Sequence, residues 1–544
     1  MENKTRYETQ RLDHLGIVAG ISHEIGLAKL IDEKVGLVQR KVSCGQAVEA
    51  MVMNALGFSS RALYMMPDYL HNKPVELLIA PGLSAEDFND DTLGRSLDDL
   101  YESGVTELFA GIASQALRVY GIEHQFVHLD SSSFHLHGQY ETEEAESETE
   151  AIQITYGYSR DHRPDLKQAI AQLITSQSSA LPVWLEVLSG NTSDKDSFPK
   201  SVTAYCKHLG EAEKPYFVMD SAGYSADNLE EMKDIFWITR VPETLSEAQR
   251  LVRETAQGAM QEVKPGYFAK EFDVTYANIK QRWLVVYSEA AYQRELHGLE
   301  NAQKREQIQA EKEWRKICQQ EYQCQSDAET ALQKFSQGWK YHKILAKTEP
   351  ITKYAQPGRP SASDKPEIVG YHLLGTVALA DDAFQNAKKS LGKFIIATNQ
   401  LDTAKLPAKT MLEHYTKQGV SVERGFRFLK DPLFFAHSLF LKKPERIMAL
   451  IMIMALSLLI YALAERQLRQ ALTENKQTLP DQKGKPTQVP TIRWIFQLFE
   501  GIDLLSIWQN DQLLSRQLIN LRPVHLQIVQ LFGQHVKNCY PRIE

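Results

Sequence analysis

Between positions 8 and 120 apolar residues return every three or four places, as in GIVAGISHEIGLAKLIDEKVG and SCGQAVEAMVMNALGFSSRALYMM. That spacing lays an apolar stripe along one side of a helix, so the stretch predicts amphipathic helices with little strand. Ser43, just ahead of the second run, is a candidate N-cap. FNDDTLGRSLDDLYESG and ELFAGIASQALRVYG continue the pattern. From Gln125 the period changes. FVHLDSSSF, AIQITYGYS, QAIAQLITSQ, PVWLEVLSG and PYFVMDSAG are short runs rich in β-branched and aromatic residues, separated by turn formers, and they predict a sheet.

After WITRVPE the pattern predicts a hairpin, YFAKEFDVTY with QRWLVVYSE, followed by a long charged helical stretch over residues 289–335. Ser326 and Glu329 have capping-box spacing and predict a helix restart there. From Lys334 to Arg359 the chain is basic, aromatic and finally Pro-rich, which predicts an extended arm. Strand signals return in EIVGYHLLGTVAL and GKFIIATN. Helices follow from about 407 to 470, and a polar Pro-containing loop precedes a last helical piece, 490–535. The order predicts one α/β domain interrupted by an insertion, because an inserted segment returns the chain near where it left. The expected divisions are an all-α unit over 1–120, a first α/β part over 121–245, an insertion of hairpin, helical hairpin and arm over 246–364, a second α/β part over 365–470, and a helical region over 471–544.

Composition narrows the class. With 43% hydrophobic and 24% charged residues the chain is globular rather than disordered. Five scattered cysteines without a CxxC pair favour a reducing compartment over a disulfide frame or zinc ribbon. The opening MENKTRYETQRLDHLG lacks the apolar core of a secretory signal, so a cytoplasmic protein is expected. IMALIMIMALSLLIYALA, residues 447–464, is long enough to cross a bilayer, yet charged flanks and Ala/Met richness predict a buried core helix. A net charge of −8 does not suggest a DNA-binding protein, so any phosphate footprint must be local. The arm supplies one: Lys334, Lys340, Lys343, Lys347, Lys353 and Arg359 stand against Glu349 alone, interleaved with Trp339, Tyr341 and Tyr354. By contrast ETEEAESETE, residues 141–150, reads as a solvated acidic loop.

Three acids stand out by position. Asp130 closes the apolar run FVHL, Asp220 closes YFVM, and Glu423 lies in YTKQGVSVERGFRFLK. Two aspartates at strand ends and a helical glutamate are oxygen donors suited to Mg²⁺ or Mn²⁺, and two such ions support phosphoryl transfer. Glu423, Arg427 and Lys430 recur at i, i+4 and i+7 and share one helical face opposite Val422, Phe426 and Leu429. The histidines of FVHLDSSSFHLHG do not compete for this role. Alternation along a strand sets His128 beside Asp130 and sends His135 and His137 to the other face.

The motifs HLDSSSFHLHG, GYSRDHRPDLKQ, LSGNTSDKDSF, FVMDSAGYS and a tail of Y-x7-E-x6-K-D-P occur in that order over about residues 126–432. Together they resemble the DDE transposases of bacterial insertion sequences, within them insertion-sequence family 1634, a branch of the larger family 4. RLDHLGIVAGISHEIGLAKLID resembles that branch's helical N-terminal domain. The resemblance implies a ribonuclease-H-like catalytic domain with a mixed β-sheet, interrupted by the inserted β-hairpin and helical subdomain, between α-helical terminal units. It implies Asp130, Asp220 and Glu423 as the catalytic, metal-binding triad for two Mg²⁺ ions, with Mn²⁺ a possible substitute. Tyr415, Glu423 and Lys430 match the tyrosine, glutamate and lysine of the tail signature. Gln418 stands where the larger family has arginine, and seven residues rather than six separate Tyr415 from Glu423. Arg160, His162, Arg163 and Lys167, with Tyr415, Arg427, Lys430, Lys340, Lys343 and Arg359, are the expected DNA contacts. The resemblance implies DNA cleavage at transposon ends and strand transfer, acting on terminal inverted repeats and target duplex as a homodimer, in a bacterial cytoplasmic, nucleoid-associated protein. A nuclease without strand transfer and a non-catalytic DNA-binding relic are the alternatives.

Overall fold

The computed structural model describes residues 5–36, 39–58, 61–137, 140, 151–159, 162–176, 180–210, 214–354, 365–417, 425–428, 430, 441–510 and 512–541. The chain divides into two compact units, one of Met1–Thr239, Ala277–Ile279 and Met411–Glu544, the other of Arg240–Tyr276 and Lys280–Thr410.

In the first unit the amphipathic pattern produces helices Leu15–Ile25, Leu27–Val35, Cys44–Leu56, Asp90–Glu102 and Val105–Val119. Ser43 caps its helix as expected, in a reciprocal capping box with Gln46. The apolar run at 447–464 lies inside helix Pro444–Glu474, which packs on the helices at 44–56, 90–102 and 105–119, its most apolar stretch 89% buried. Two parallel bonds of 2.7 Å from Arg446 to Asp98 fix its first turn. These neighbours account for its apolar surface.

The unit also contains β1 (Thr5–Arg11), which no alternation in TRYETQR announced. It pairs antiparallel with Asp503–Gln509, and that strand pairs with Gln512–Ile519. The helical expectation for 490–535 is corrected here: among the described residues Ile492–Leu498, Pro523–Leu531 and the start of Gln534–Cys539 are helical, and the two strands lie between the first two. A segment whose side chains are half polar on both faces takes its conformation from its pairing partner.

The main sheet of this unit has β2 (Phe126–Leu136), β3 (Lys167–Ser176), β4 (Pro182–Ser189), β5 (Tyr216–Met219) and β6 (Trp237–Arg240) in the order β4-β3-β2-β5-β6. β2, β3 and β4 form an antiparallel meander, and β5 and β6 continue it in parallel with β2. Helix Asp194–Leu209 connects the meander to the parallel pair. Three antiparallel strands followed by two parallel ones, joined by a helix, is the ribonuclease-H-like arrangement. AIQITYGYS, expected as a strand, makes only the bridge Thr155↔Gln168. Beyond that bridge, Gly157 lies where a Cβ would sit 2.0 Å from the Gly190 carbonyl oxygen, so backbone meets backbone and no ladder continues.

In the second unit β7 (Gln261–Lys264), β8 (Tyr267–Tyr276) and β9 (Ile279–Ser288) form a meander, and β12 (Lys393–Thr398) pairs antiparallel with β9. Between them lie β10 (His342–Lys353) and β11 (Glu367–Leu379), a separate two-stranded ribbon. The expected arm is therefore a strand over half its length. Helices Glu289–Cys318 and Gln325–Ser336 cover one face of the ribbon, closing a small core of Trp314, Ala328 and Leu373. The helix restart occurs, but the capping box at Ser326 does not form: Cys324 is the N-cap, and Glu329 accepts from Gln325 instead.

Candidate active site

Asp130 lies within β2 and Asp220 directly after β5. The two strands pair in parallel with Phe126 opposite Tyr216, Val127 opposite Phe217 and His128 opposite Val218. Each pairing is offset by the same amount, and Asp220 is extended at φ −76°, ψ −175°. The register carried forward sets Asp130 and Asp220 at the same rank, on strands about 4.8 Å apart. Parallel neighbours at one rank face the same side, so the two carboxyl-bearing residues share a face and an edge.

Each acid is oriented locally. The Ser131 N–H donates to Asp130 Oδ1 at 2.8 Å, and the Ala222 N–H donates to Asp220 Oδ1 at 2.9 Å where Asp220 caps a short 3₁₀ turn. The Thr239 hydroxyl of β6 donates to the Asp220 carbonyl at 2.6 Å, anchoring the backbone from the next strand. Asp130 is half-buried and Asp220 exposed. A pair of carboxylates is a hard, all-oxygen donor set and fits a divalent cation of the Mg²⁺ class. Among the described residues no three His, Cys, Asp or Glu side chains gather about a common point. Glu423 lies outside the described residues.

Two segments of the tail cover the face of β2 that bears Asp130. The His414 ring stacks on Phe126 with centroids 3.5 Å apart, which brings the last turns of helix Ala408–Thr416, with half-buried Tyr415, over that face. Further along, Lys430 holds its ammonium 6.0 Å from the Phe134 ring, on the same alternation as Asp130. Phe428 packs its ring 4.6 Å from Tyr461 of helix Pro444–Glu474, while Arg427 is exposed. The structure thus gathers Asp130, Asp220, the Tyr415 helix and Lys430 on one side of the sheet.

His128 shares this face, fully buried. Burial, with His414 nearby, pushes its pKa down to about 3, so it is neutral. His135 lies on the opposite alternation and meets the Ser159 hydroxyl at 2.9 Å. The histidines do not converge.

The remaining expected contacts are spread out. His162 is exposed, in a left-handed conformation at φ 57°. Arg163 makes two bonds to Asp165, at 2.9 and 2.8 Å, and Lys167 donates to the Tyr140 carbonyl. Lys340 lies 5.1 Å over the Tyr341 ring, and Lys343 is on the exposed face of β10. Arg160 and Arg359, like the acidic run 141–150, lie outside the described residues. The sequence reading missed Thr239, Ser131 and His414 as neighbours of the acids. Only Ser131 had a local signal, the serine run that follows Asp130.

Residues 122–460 match the family model described as "Transposase DDE domain", and residues 7–114 match one described as a domain of unknown function, DUF4277. None of the curated proteins is similar to the chain. A solved structure described as a piggyBac transposase synaptic complex with hairpin DNA is similar at 8% identity and a TM-score of 0.37, over 91% of this chain and 82% of that one.

Proposed function

The chain belongs to the family of the transposase DDE domain, and from that premise we propose that it cleaves DNA at transposon ends and joins the freed ends to target DNA. The observation that carries this reading is the shared rank of Asp130 and Asp220 on adjacent parallel strands. Asp130, Asp220 and Glu423 are proposed to hold two Mg²⁺ ions, for which Mn²⁺ can substitute. When bound, these ions supply charge neutralisation and polarisation of the attacking and leaving oxygens.

The chain's own residues do the positioning. Backbone N–H groups of Ser131 and Ala222 hold one oxygen of each aspartate. Lys430 and Arg427 offer cations to a phosphate on the Asp130 face, and Tyr415 lies on the helix that covers it. Arg160, His162, Arg163 and Lys167 flank the duplex, while Lys340, Lys343 and Arg359 grip phosphates farther along it. The lysines on the exposed face of β10 support this last assignment. Paired ends call for a homodimer on DNA. The finer placement in insertion-sequence family 1634 rests on the motif resemblance.

Purified protein with a duplex carrying its transposon end and Mg²⁺ tests the reading. Asp220→Ala removes an interaction worth several kcal/mol, so cleavage falls by about a thousandfold or more. Equal cleavage by both proteins sinks the assignment. Cleavage without joining of the product ends favours the nuclease alternative.

A further inference from the structure

Behind Asp130, on the other face of the sheet, polar side chains run straight across three strands. Ser131 of β2 is register-paired with Gln172 of β3, and Gln172 with Glu186 of β4. Opposite them helix Asp194–Leu209 presents Asp194, Ser197 and Ser201, at i, i+3 and i+7 on one face. The two rows are bonded throughout. The Ser131 hydroxyl donates to the Asp194 carboxylate, and Ser197 donates to the Gln172 amide oxygen at 2.8 Å. The Gln172 amide donates to Ser201 at 2.5 Å, Ser201 donates to the Glu186 carboxylate, and Trp184 donates to Glu186 at 3.0 Å. Ser131, Gln172 and Ser201 are at most 2% exposed.

A sheet–helix interface needs no such network for stability, since apolar packing of the same volume serves as well. A satisfied buried network does something packing does not: it admits a single register, because any slip leaves buried donors without acceptors. Its end falls beside an acid of the active face. Asp194 holds the Ser131 side chain, and the backbone N–H of that same Ser131 donates to Asp130 Oδ1. Fixing the Ser131 side chain fixes the peptide plane that aims this N–H.

We infer that Ser131 and Asp194 are positioning residues that orient the Asp130 carboxylate for the divalent cation. The inference rests on the reading of Asp130 as a cation ligand. Asp194, the first residue of its helix and part of the motif LSGNTSDKDSF, thereby acquires a role in the site, while the N-cap of that helix is Ser193.

The test measures Mn²⁺ binding to the full chain without DNA, by electron paramagnetic resonance, beside the Mg²⁺ dependence of end cleavage. Partners of metal ligands typically change metal affinity 10- to 100-fold. Ser131→Ala and Asp194→Ala are expected to weaken Mn²⁺ binding and raise half-saturating Mg²⁺ by about that factor, with metal-free DNA binding retained. Ser131→Thr, which keeps the hydroxyl, restores most of the affinity. Ser201→Ala breaks the network at its far end, lowering Tm without moving either metal reading. Should Ser131→Ala fail to fold, the isosteric Asp194→Asn carries the test with a smaller shift in the same direction. Wild-type Mn²⁺ affinity in Ser131→Ala and Asp194→Ala, with Asp130→Asn abolishing binding, overturns the positioning role and leaves the Asp130 reading standing. Wild-type binding and cleavage in Asp130→Asn overturns both.

Discussion

Strands β2 and β10 are nearly equal in length, 11 and 12 residues, and each carries charged or polar side chains along an otherwise apolar run. β2 is paired on both edges and covered on both faces, and most of its residues are buried. β10 is paired with β11 alone and covered on one face, so Lys343, Leu345 and Lys347 remain exposed. A polar residue in β2 must find a partner, as Ser131 does in Asp194. In β10 the buried His342 likewise meets Glu306 at 2.9 Å, while on the uncovered face Lys343 is exposed to water or to a ligand. A strand's neighbours, more than its own residues, decide whether it fixes a geometry or presents a surface.

The comparison breaks most visibly at Trp314, which closes the ribbon's small core and donates its indole N–H to the Gly375 carbonyl at 2.9 Å. Trp314→Ala is expected to cost about 3 to 5 kcal/mol. Amide exchange should then quicken in β10 and β11 while β2 and β3 keep their protection. Loss of protection in both would show that the ribbon does not stand on its own core.

Acid should act on the first unit. Burial pushes the pKa of His14 down to about 4 and that of His128 to about 3, so both stay neutral where unfolded histidines, near 6.5, take up a proton. The unfolded state then binds more protons, and stability falls as pH drops from about 6.5 toward 4, by about 1.4 kcal/mol per pH unit for each histidine. His14 stacks on Phe496 at 4.3 Å, so His14→Phe keeps the stack and should remove its share of the slope in a Tm-against-pH series. An unchanged slope would place the acid sensitivity elsewhere.

The smallest effect belongs to the exposed face. Lys343→Ala and Lys347→Ala should each lower the slope of log affinity against log salt by about 0.9, one phosphate contact apiece. If end-DNA binding keeps its full salt slope in the double variant, the ribbon is not a phosphate surface.

Much of where the candidate site's residues lie was legible because it depends on local signals. Asp130 and Asp220 each end an apolar run, and the alternation that separates His128 from His135 follows from the strand period alone. Ser43 announced its helix because a cap is read from adjacent residues. The failures share the opposite character. TRYETQR and the strands after 502 have no pattern of their own and exist through each other. The capping box at Ser326 had the right spacing, yet the helix begins two residues earlier, with Cys324 as its N-cap. The arm was readable as extended but not as paired, because its partner lies beyond a Pro-rich stretch.

The sequence by itself marked the candidate acids at the close of two apolar runs and the buried character of the long apolar helix, since each follows from composition and period within a short window, although Asp130 lies inside β2 rather than at its end. Only the tertiary structure decided that Asp130 and Asp220 share a rank, that His414 and Lys430 cover their face, and that Asp194 reaches Ser131 from behind. Register between strands and contact across a sheet are set by packing among residues tens to hundreds of positions apart, and no local period encodes that distance.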